Sequence, residues 1–363
     1  MPDPTDRTAG AEKAPSSRLP ATTSAPADGD SHAKLPAGIT AEDADRITRY
    51  LEKGKRASTR RVYRSKWRLF VQWCDGRGID PHPCTPGDVV TYLTYRADQV
   101  SLSTVRQDAA AIAWMHKRYG EPDPTTADVV TQALEGIAEK EREDGQAPEP
   151  KRALFTKHVR AMVEAAQAPE PGADAGRVEW NRFHRGRRDA ALLLVGFAGA
   201  MRRAELAAIE AGDVSFNDAG MEIHLPKTKT EARTVGINRG RNPDFCPVRA
   251  LREWLDVSGI ESGPVFRAVP RTAEMKADDE AEPMTGQSIR NVIGRAADAV
   301  DGLDRDDVAG HSLRRGHITQ AAQNGASLER LMKQAGHVDP RTTTRYVEDA
   351  NRMETNTSRD LGL

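Results

Sequence analysis

Four separated stretches of this 363-residue chain concentrate side chains able to act on a phosphate. GAMRRAEL (199–206) places Arg202 three residues before Glu205, and KTKT (227–230) sets Lys227 and Lys229 in a short polar turn. HSLRRGH (311–317) spaces His311 and Arg314 by three, and GHVDPRTTTRYV (336–347) puts Tyr346 nine residues after His337. Guanidinium forks meet non-bridging phosphate oxygens through paired hydrogen bonds and stay ionised at working pH. Two of them can balance the charge that builds during attack on a phosphodiester, a task that a metal performs elsewhere. A tyrosine phenol is a poor nucleophile until a base takes its proton, and an alkoxide leaves badly without an acid. Singly, each stretch has an ordinary reading: a packed helical tyrosine, a solvated His-x-x-Arg face, a polar turn, or a helix ion pair worth under about 1 kcal/mol. Their joint occurrence, in order and spacing, outweighs those readings.

That order and spacing resemble the tyrosine recombinase (phage integrase) family over roughly residues 46–350. The last two stretches carry the resemblance most strongly. It implies that Arg202 is the first catalytic arginine, because the family places it three before an acidic residue; Arg203 is one short of that spacing. Glu205 matches the acidic position that supports the site from behind. Lys229, in preference to Lys227, matches the mobile hairpin lysine that protonates the departing 5′-oxygen. His311 and Arg314 match the His-x-x-Arg pair, with His311 the base. His337 matches a position usually held by His or Trp, placed to hydrogen-bond the phosphate, and Tyr346 matches the nucleophile. The implied product is a 3′-phosphotyrosine, which keeps the bond energy for rejoining, so no metal and no nucleotide cofactor is expected. The implied function is site-specific DNA recombination. A type IB topoisomerase shares the chemistry, and a DNA-binding accessory protein with an unused site is a third reading, which the complete catalytic set disfavours.

The elements that must position these residues are mainly α-helical. Residues 1–45 read as a disordered tail, since 1–38 are rich in Pro, Ala, Ser, Thr and Asp without apolar periodicity. Residues 46–140 read as a four-helix core-binding (SAM-like) domain. Ser58 or Thr59 caps the first helix, Thr85-Pro86 starts the second, Ser103 opens the third, and the fourth runs from about Thr126 to Lys140. EREDGQAPEPK (141–151) is a linker by its charge, Gly and Pro. Residues 152–363 form a mixed, mostly helical catalytic domain. It has a helix capped by Thr156, an apolar helix through ALLLVGFAGA (191–200), and strands 221–225 and 233–237 bracketing a hairpin. Helices resume near Pro247 and Thr285, separated by a solvated acidic loop over 271–284. Gly325 and Gly336 suit helix C-termini, and Asp339-Pro340 suits a helix start.

The formal charge of −1 hides an uneven distribution: residues 1–45 carry −4 and the remainder +3. Residues 53–68 hold eight basic side chains and no acidic one. On a helix, Arg60, Arg61, Arg64 and Arg68 face out while Tyr63, Trp67 and Phe70 face in, which favours phosphate contact over a solvated face. The run from Ser58 to Trp73 also resembles the family's core-binding domain, and Arg106 on the third helix is a further candidate DNA contact. The resemblance implies a two-domain recombinase of the Cre or Xer kind, clamping double-stranded DNA and working as a homotetramer on two sites. In the family the segment after the nucleophile docks onto a neighbouring subunit; the seventeen residues after Tyr346 are poor in apolar side chains for that role. No stretch approaches the roughly 20 apolar residues of a membrane span. The scattered Cys74, Cys84 and Cys246 share no metal spacing, which fits a reducing cytoplasm. Neutralising Arg60, Arg61, Arg64 and Arg68 together is expected to weaken binding to every duplex and to flatten the log–log salt slope by about 0.9 per lost phosphate contact. An unchanged slope assigns the helix to an ordinary solvated face.

Overall fold

The computed structural model describes residues 57–145, 151–226, 232–272 and 274–351, together with Arg46 and Leu361. The expected tail, Lys227 and Lys229, residues 146–150 of the expected linker and most of the chain after Tyr346 lie outside the described residues. The chain divides into two compact units, Met1–Glu149 and Pro150–Leu363.

The first unit packs helices α1 (Ala57–Asp75), α2 (Pro86–Ala97), α3 (Leu102–Tyr119) and α4 (Asp128–Glu143). Helix α1 buries Phe70 and Cys74 and leans Tyr63 on Trp114 of α3, with ring centroids 5.7 Å apart. Phe70 and Trp73 both meet the buried ring of Tyr92 from α2, at 5.0 and 5.2 Å. One buried carboxylate ties three helices: Asp108 of α3 pairs with Lys66 of α1 at 3.0 Å and Arg96 of α2 at 3.1 Å. Thr85 caps α2 in a reciprocal box, accepting from the Asp88 N–H while Asp88 accepts from the Thr85 N–H. Three expected helix boundaries move. Helix α1 already includes Ser58 and Thr59, α3 is preceded by Ser101 rather than opened by Ser103, and α4 runs through Glu143, into the segment read as linker. Arg61, Arg64, Arg68 and Arg106 are exposed as expected, whereas Arg60 is half-buried.

The second unit is built around α6 (Arg177–Ala198), which packs on α5 (Thr156–Ala166), α8 (Pro247–Ser258) and α10 (Ser312–Gln323). Neighbours on several sides explain why Ala190 through Gly196 are all buried rather than forming one apolar stripe. Trp254 of α8 is fully buried and donates its indole N–H to the Val265 carbonyl at 2.8 Å. Phe155, not Thr156, is the N-cap of α5. The short helix α7 (Arg203–Ala207) leads to a three-stranded antiparallel sheet, β1 (Val214–Phe216), β2 (Gly220–Leu225) and β3 (Arg233–Asn238). Strand β1 was not read from the sequence. Thr285 caps α9 (Gly286–Asp298) as expected, accepting from the Ser288 N–H at 3.0 Å. The 271–284 loop is largely exposed, as expected, and is anchored where Asp278 accepts from Arg267 and from the N–H groups of Glu261 and Ser262. Helices α11 (Leu328–Ala335) and α12 (Pro340–Asn351) complete the unit, with Gly336 in the left-handed region between them at φ 62°.

The segment entering the second unit is sewn to the chain around α10. The Arg152 N–H donates to the Asp307 carbonyl at 2.7 Å, the Leu154 N–H to the Ser312 carbonyl at 3.1 Å, and Arg315 to the Lys151 carbonyl at 3.0 Å. Gly316 makes this approach possible, since a Cβ there would lie 1.8 Å from the Leu154 carbonyl oxygen. Gly316→Ala is therefore expected to destabilise the protein by about 1–3 kcal/mol or more through overpacking against backbone. Chemical denaturation giving wild-type stability would contradict this seam.

Candidate active site

The site starts where α6 ends. Gly199 and Ala200 turn the chain, and Ala200 sits in the left-handed region at φ 48°, a conformation that disfavours side chains by about 1–2 kcal/mol. The turn does two things. It aims the Ala200 carbonyl at Arg314, which donates to it at 2.8 Å, and it delivers Arg202 to the N-terminus of α7. There the Arg202 N–H donates to the Glu205 carboxylate at 2.9 Å, and the Arg202 guanidinium pairs with the other oxygen of the same carboxylate. Its remaining fork donates to the Gly336 carbonyl at 3.2 Å. Arg203, the neighbouring candidate, instead lays its methylene stem over Gly310 and Gly286.

Arg314 comes up from the first turn of α10 and is 4 % exposed, with one guanidinium nitrogen lacking a hydrogen-bond partner among the described residues. Burial, and next the charge of Arg202, push its pKa down to about 9. His311 lies at the N-cap of the same helix with its side chain exposed. His337 follows the Gly336 turn, and its Nδ1 shares a 2.7 Å hydrogen bond with the Thr343 hydroxyl of α12. Burial, then Arg314 and Arg202, push the His337 pKa down to about 4. Tyr346 is half-buried on α12, stacked near His337 with ring centroids 6.4 Å apart, and packs on the cluster of Ala200, Ile318, Ala322, Leu331 and Ala335. Glu205 is 1 % exposed. Burial alone would raise its pKa; the Arg202 N–H and the Arg233 and Arg202 guanidinia hold it below the ordinary carboxylate value.

Arg202, His311, Arg314, His337 and Tyr346 line one open pocket of about 300 Å³. Glu205 stands behind it, and Lys229 lies outside the described residues. The sequence reading missed Thr343 and Arg233. Thr343 is hidden in a run of three threonines. Arg233 had a signal, since it falls on the apolar phase of a strand. Together the lining groups offer buried guanidinia, a histidine held neutral and a phenol, the materials for metal-free attack on a phosphodiester.

Residues 179–353 match the phage integrase family. The chain is 29 % identical over 315 residues to an integrase/recombinase XerD homolog of Selenomonas ruminantium, covering 85 % of this chain and 86 % of that protein. It is 22 % identical over 334 residues to the recombinase Cre of Escherichia phage P1, covering 87 % and 92 %. In fold it is similar to the Tn1549 transposon integrase solved with transposon right end DNA, with a TM-score of 0.55, 15 % identity and coverage of 87 % and 97 %. It is also similar to a lambda integrase dimer bound to a core site, with a TM-score of 0.52, 15 % identity and coverage of 85 % and 77 %.

The depressed pKa of His337 has a consequence for stability. An unfolded histidine takes up a proton as pH falls below about 6.5, but in the folded protein His337 does so only near 4. Its contribution to stability is therefore full above pH 6.5 and is lost as pH falls from 6.5 through 4. His317, pushed to about 4 chiefly by burial, adds to the same window. His337→Gln is expected to flatten part of the fall in urea-denaturation stability across that window, and an unaltered slope would show that His337 titrates normally.

Proposed function

The chain belongs to the phage integrase family of tyrosine recombinases, and on that premise we propose how its own residues cut and rejoin DNA at specific sites. The observation that supports the assignment is the convergence of Arg202, His311, Arg314, His337 and Tyr346, from three separate segments, on one pocket. A scissile phosphate in that pocket is gripped by Arg202 and Arg314, whose forks match its two non-bridging oxygens. His311 takes the phenolic proton as the Tyr346 oxygen attacks phosphorus. With Nδ1 accepting from Thr343, His337 keeps its proton on Nε2 and donates it in a hydrogen bond to the phosphate. The 5′-oxygen leaves with a proton from Lys229, and the 3′-phosphotyrosine stores the bond for reversal by a new 5′-hydroxyl.

Arg61, Arg64, Arg68 and Arg106 are exposed on α1 and α3 of the first unit, suited to phosphates flanking the cut. Two strand exchanges need four cleaving protomers, so the active assembly is a homotetramer on two sites. Among the described residues no helix is long and apolar enough to cross a membrane.

DNA trapped covalently on the wild-type chain and sequenced supplies the substrate for the test. Tyr346→Phe is expected to bind that duplex nearly normally and to form no protease-sensitive adduct, because the phosphate grip is untouched. Lys229→Ala should cleave ordinary DNA roughly 10²–10⁴-fold more slowly. It should recover on a substrate whose 5′-bridging oxygen is sulfur, since a thiolate leaves without a proton. Lys227→Ala should show a smaller defect, and Tyr346→Phe should stay dead on both substrates. An adduct in Tyr346→Phe would remove Tyr346 as nucleophile, and sulfur rescue of Lys227→Ala instead would move the acid to that lysine.

A further inference from the structure

A third guanidinium belongs to this neighbourhood. Strand β3 alternates, and Arg233 shares the face of Val235 and Ile237, which are 1 % and 4 % exposed. Arg233 stands opposite the buried Leu225 in the β2–β3 register, where an apolar residue is the regular choice. Its side chain is only 14 % exposed. One nitrogen donates to the Glu205 oxygen that also accepts from the Arg202 N–H, at 3.1 Å, and another donates to the Gln334 carbonyl at 2.7 Å. Its Nε is buried without a partner among the described residues and lies against Gly336, where a Cβ would approach it to 2.6 Å. Gln334 is itself fixed, donating to the carbonyls of Ala198 on α6 and Gly236 on β3 at 3.0 and 3.2 Å.

Arg233 thus shares the Glu205 carboxylate that anchors Arg202 and holds the Gln334 carbonyl, two residues before Gly336, whose own carbonyl accepts from Arg202. The next residue after Gly336 is His337. Arg233 does not line the pocket of Tyr346; it lines the adjoining groove, with Gly336 and His337 common to both. We propose that Arg233 is a positioning residue, which acts through Glu205 and the α11–α12 turn to hold Arg202 and His337 at the phosphate. The inference rests on the recombinase reading above. Lysine cannot replace it, because a single ammonium cannot span a carboxylate and a carbonyl in the plane that a guanidinium fork bridges. Burial lowers the pKa of Arg233 and Glu205 opposes that effect, consistent with a cation retained for its geometry at an electrostatic disadvantage.

The test uses the full chain and a nicked duplex carrying the covalently trapped site, in single-turnover cleavage, with affinity and thermal denaturation measured in parallel. Arg233→Lys and Arg233→Gln are expected to bind the duplex as wild type does, because most affinity comes from distributed phosphate contacts. Both should cleave about 10²-fold more slowly, the scale of a small misplacement of catalytic groups. In a Glu205→Gln background the Arg233→Gln change should add little, since both act on the same arginine. Wild-type cleavage by either folded Arg233 variant, or slowing that multiplies in full in the double variant, overturns the proposal. Equal loss of affinity and cleavage in the charge-retaining Arg233→Lys also overturns it, by assigning Arg233 to DNA binding. If the wild-type chain itself forms no adduct, the recombinase reading fails and Arg233 is not what was refuted.

Discussion

One buried carboxylate organises the second unit's chemistry. Glu205 receives the guanidinia of Arg202 and Arg233, and Arg314 lies close enough to feel all three charges. Burial first, and then the excess of positive charge from three cations around one anion, push Arg314 and His337 toward their neutral forms. On the proposed mechanism, a phosphate diester in the pocket would supply the missing negative charge, and more would develop as Tyr346 attacked. On that proposal the arrangement would favour the transition state over the bound ground state, which is what accelerates a reaction. Removing Glu205 would leave guanidinia buried against one another, a change on the scale of about 3–5 kcal/mol for breaking a buried pair.

The rest of the unit serves to make that crowding tolerable. Helix α6 is apolar all round where it meets α5, α8 and α10, giving a rigid floor from which the Ala200 turn projects. The left-handed Ala200 spends backbone energy so that its carbonyl faces Arg314, and its buried methyl joins the cluster beneath Tyr346. The helix of Tyr346, the proposed nucleophile, is thus packed on the turn that positions Arg314 and Arg202. Any shift of α12 is felt at Ala200, and through Ala200 at Arg314.

Local chemistry was legible where one short stretch carries its own reason. Thr85-Pro86, Thr285, Gly336 and Asp339-Pro340 mark helix ends through capping, left-handed freedom or a missing N–H, and each stands where it was read. A candidate site could be marked out because guanidinium, imidazole and phenol at fixed spacings have few joint uses, and five of those residues line one pocket. What failed depends on distant partners. Strand β1 is three residues long and exists by pairing with β2, so its own sequence carries little signal. Phe155 precedes α5 because the incoming backbone is tied to α10, against the local preference for Thr156. Arg60 was assigned outward by helical phase alone, yet it is half-buried in the folded unit. Arg233 was read only as part of a strand, because its partners lie 28 and 101 residues away.

The stitching of residues 151–155 to the chain around α10 has a consequence for descent as well as stability. A junction that joined this unit to a different preceding segment would have to respect hydrogen bonds that it cannot replace. Here the backbone from Arg152 onward satisfies carbonyls on both sides of His311, those of Asp307 and Ser312. A crossover after Phe155 would therefore replace the backbone donors that meet the chain on either side of His311, whereas one before Lys151 would carry them along intact. The second unit consequently begins with a few extended residues that look like tether but are bonded into the fold that carries His311.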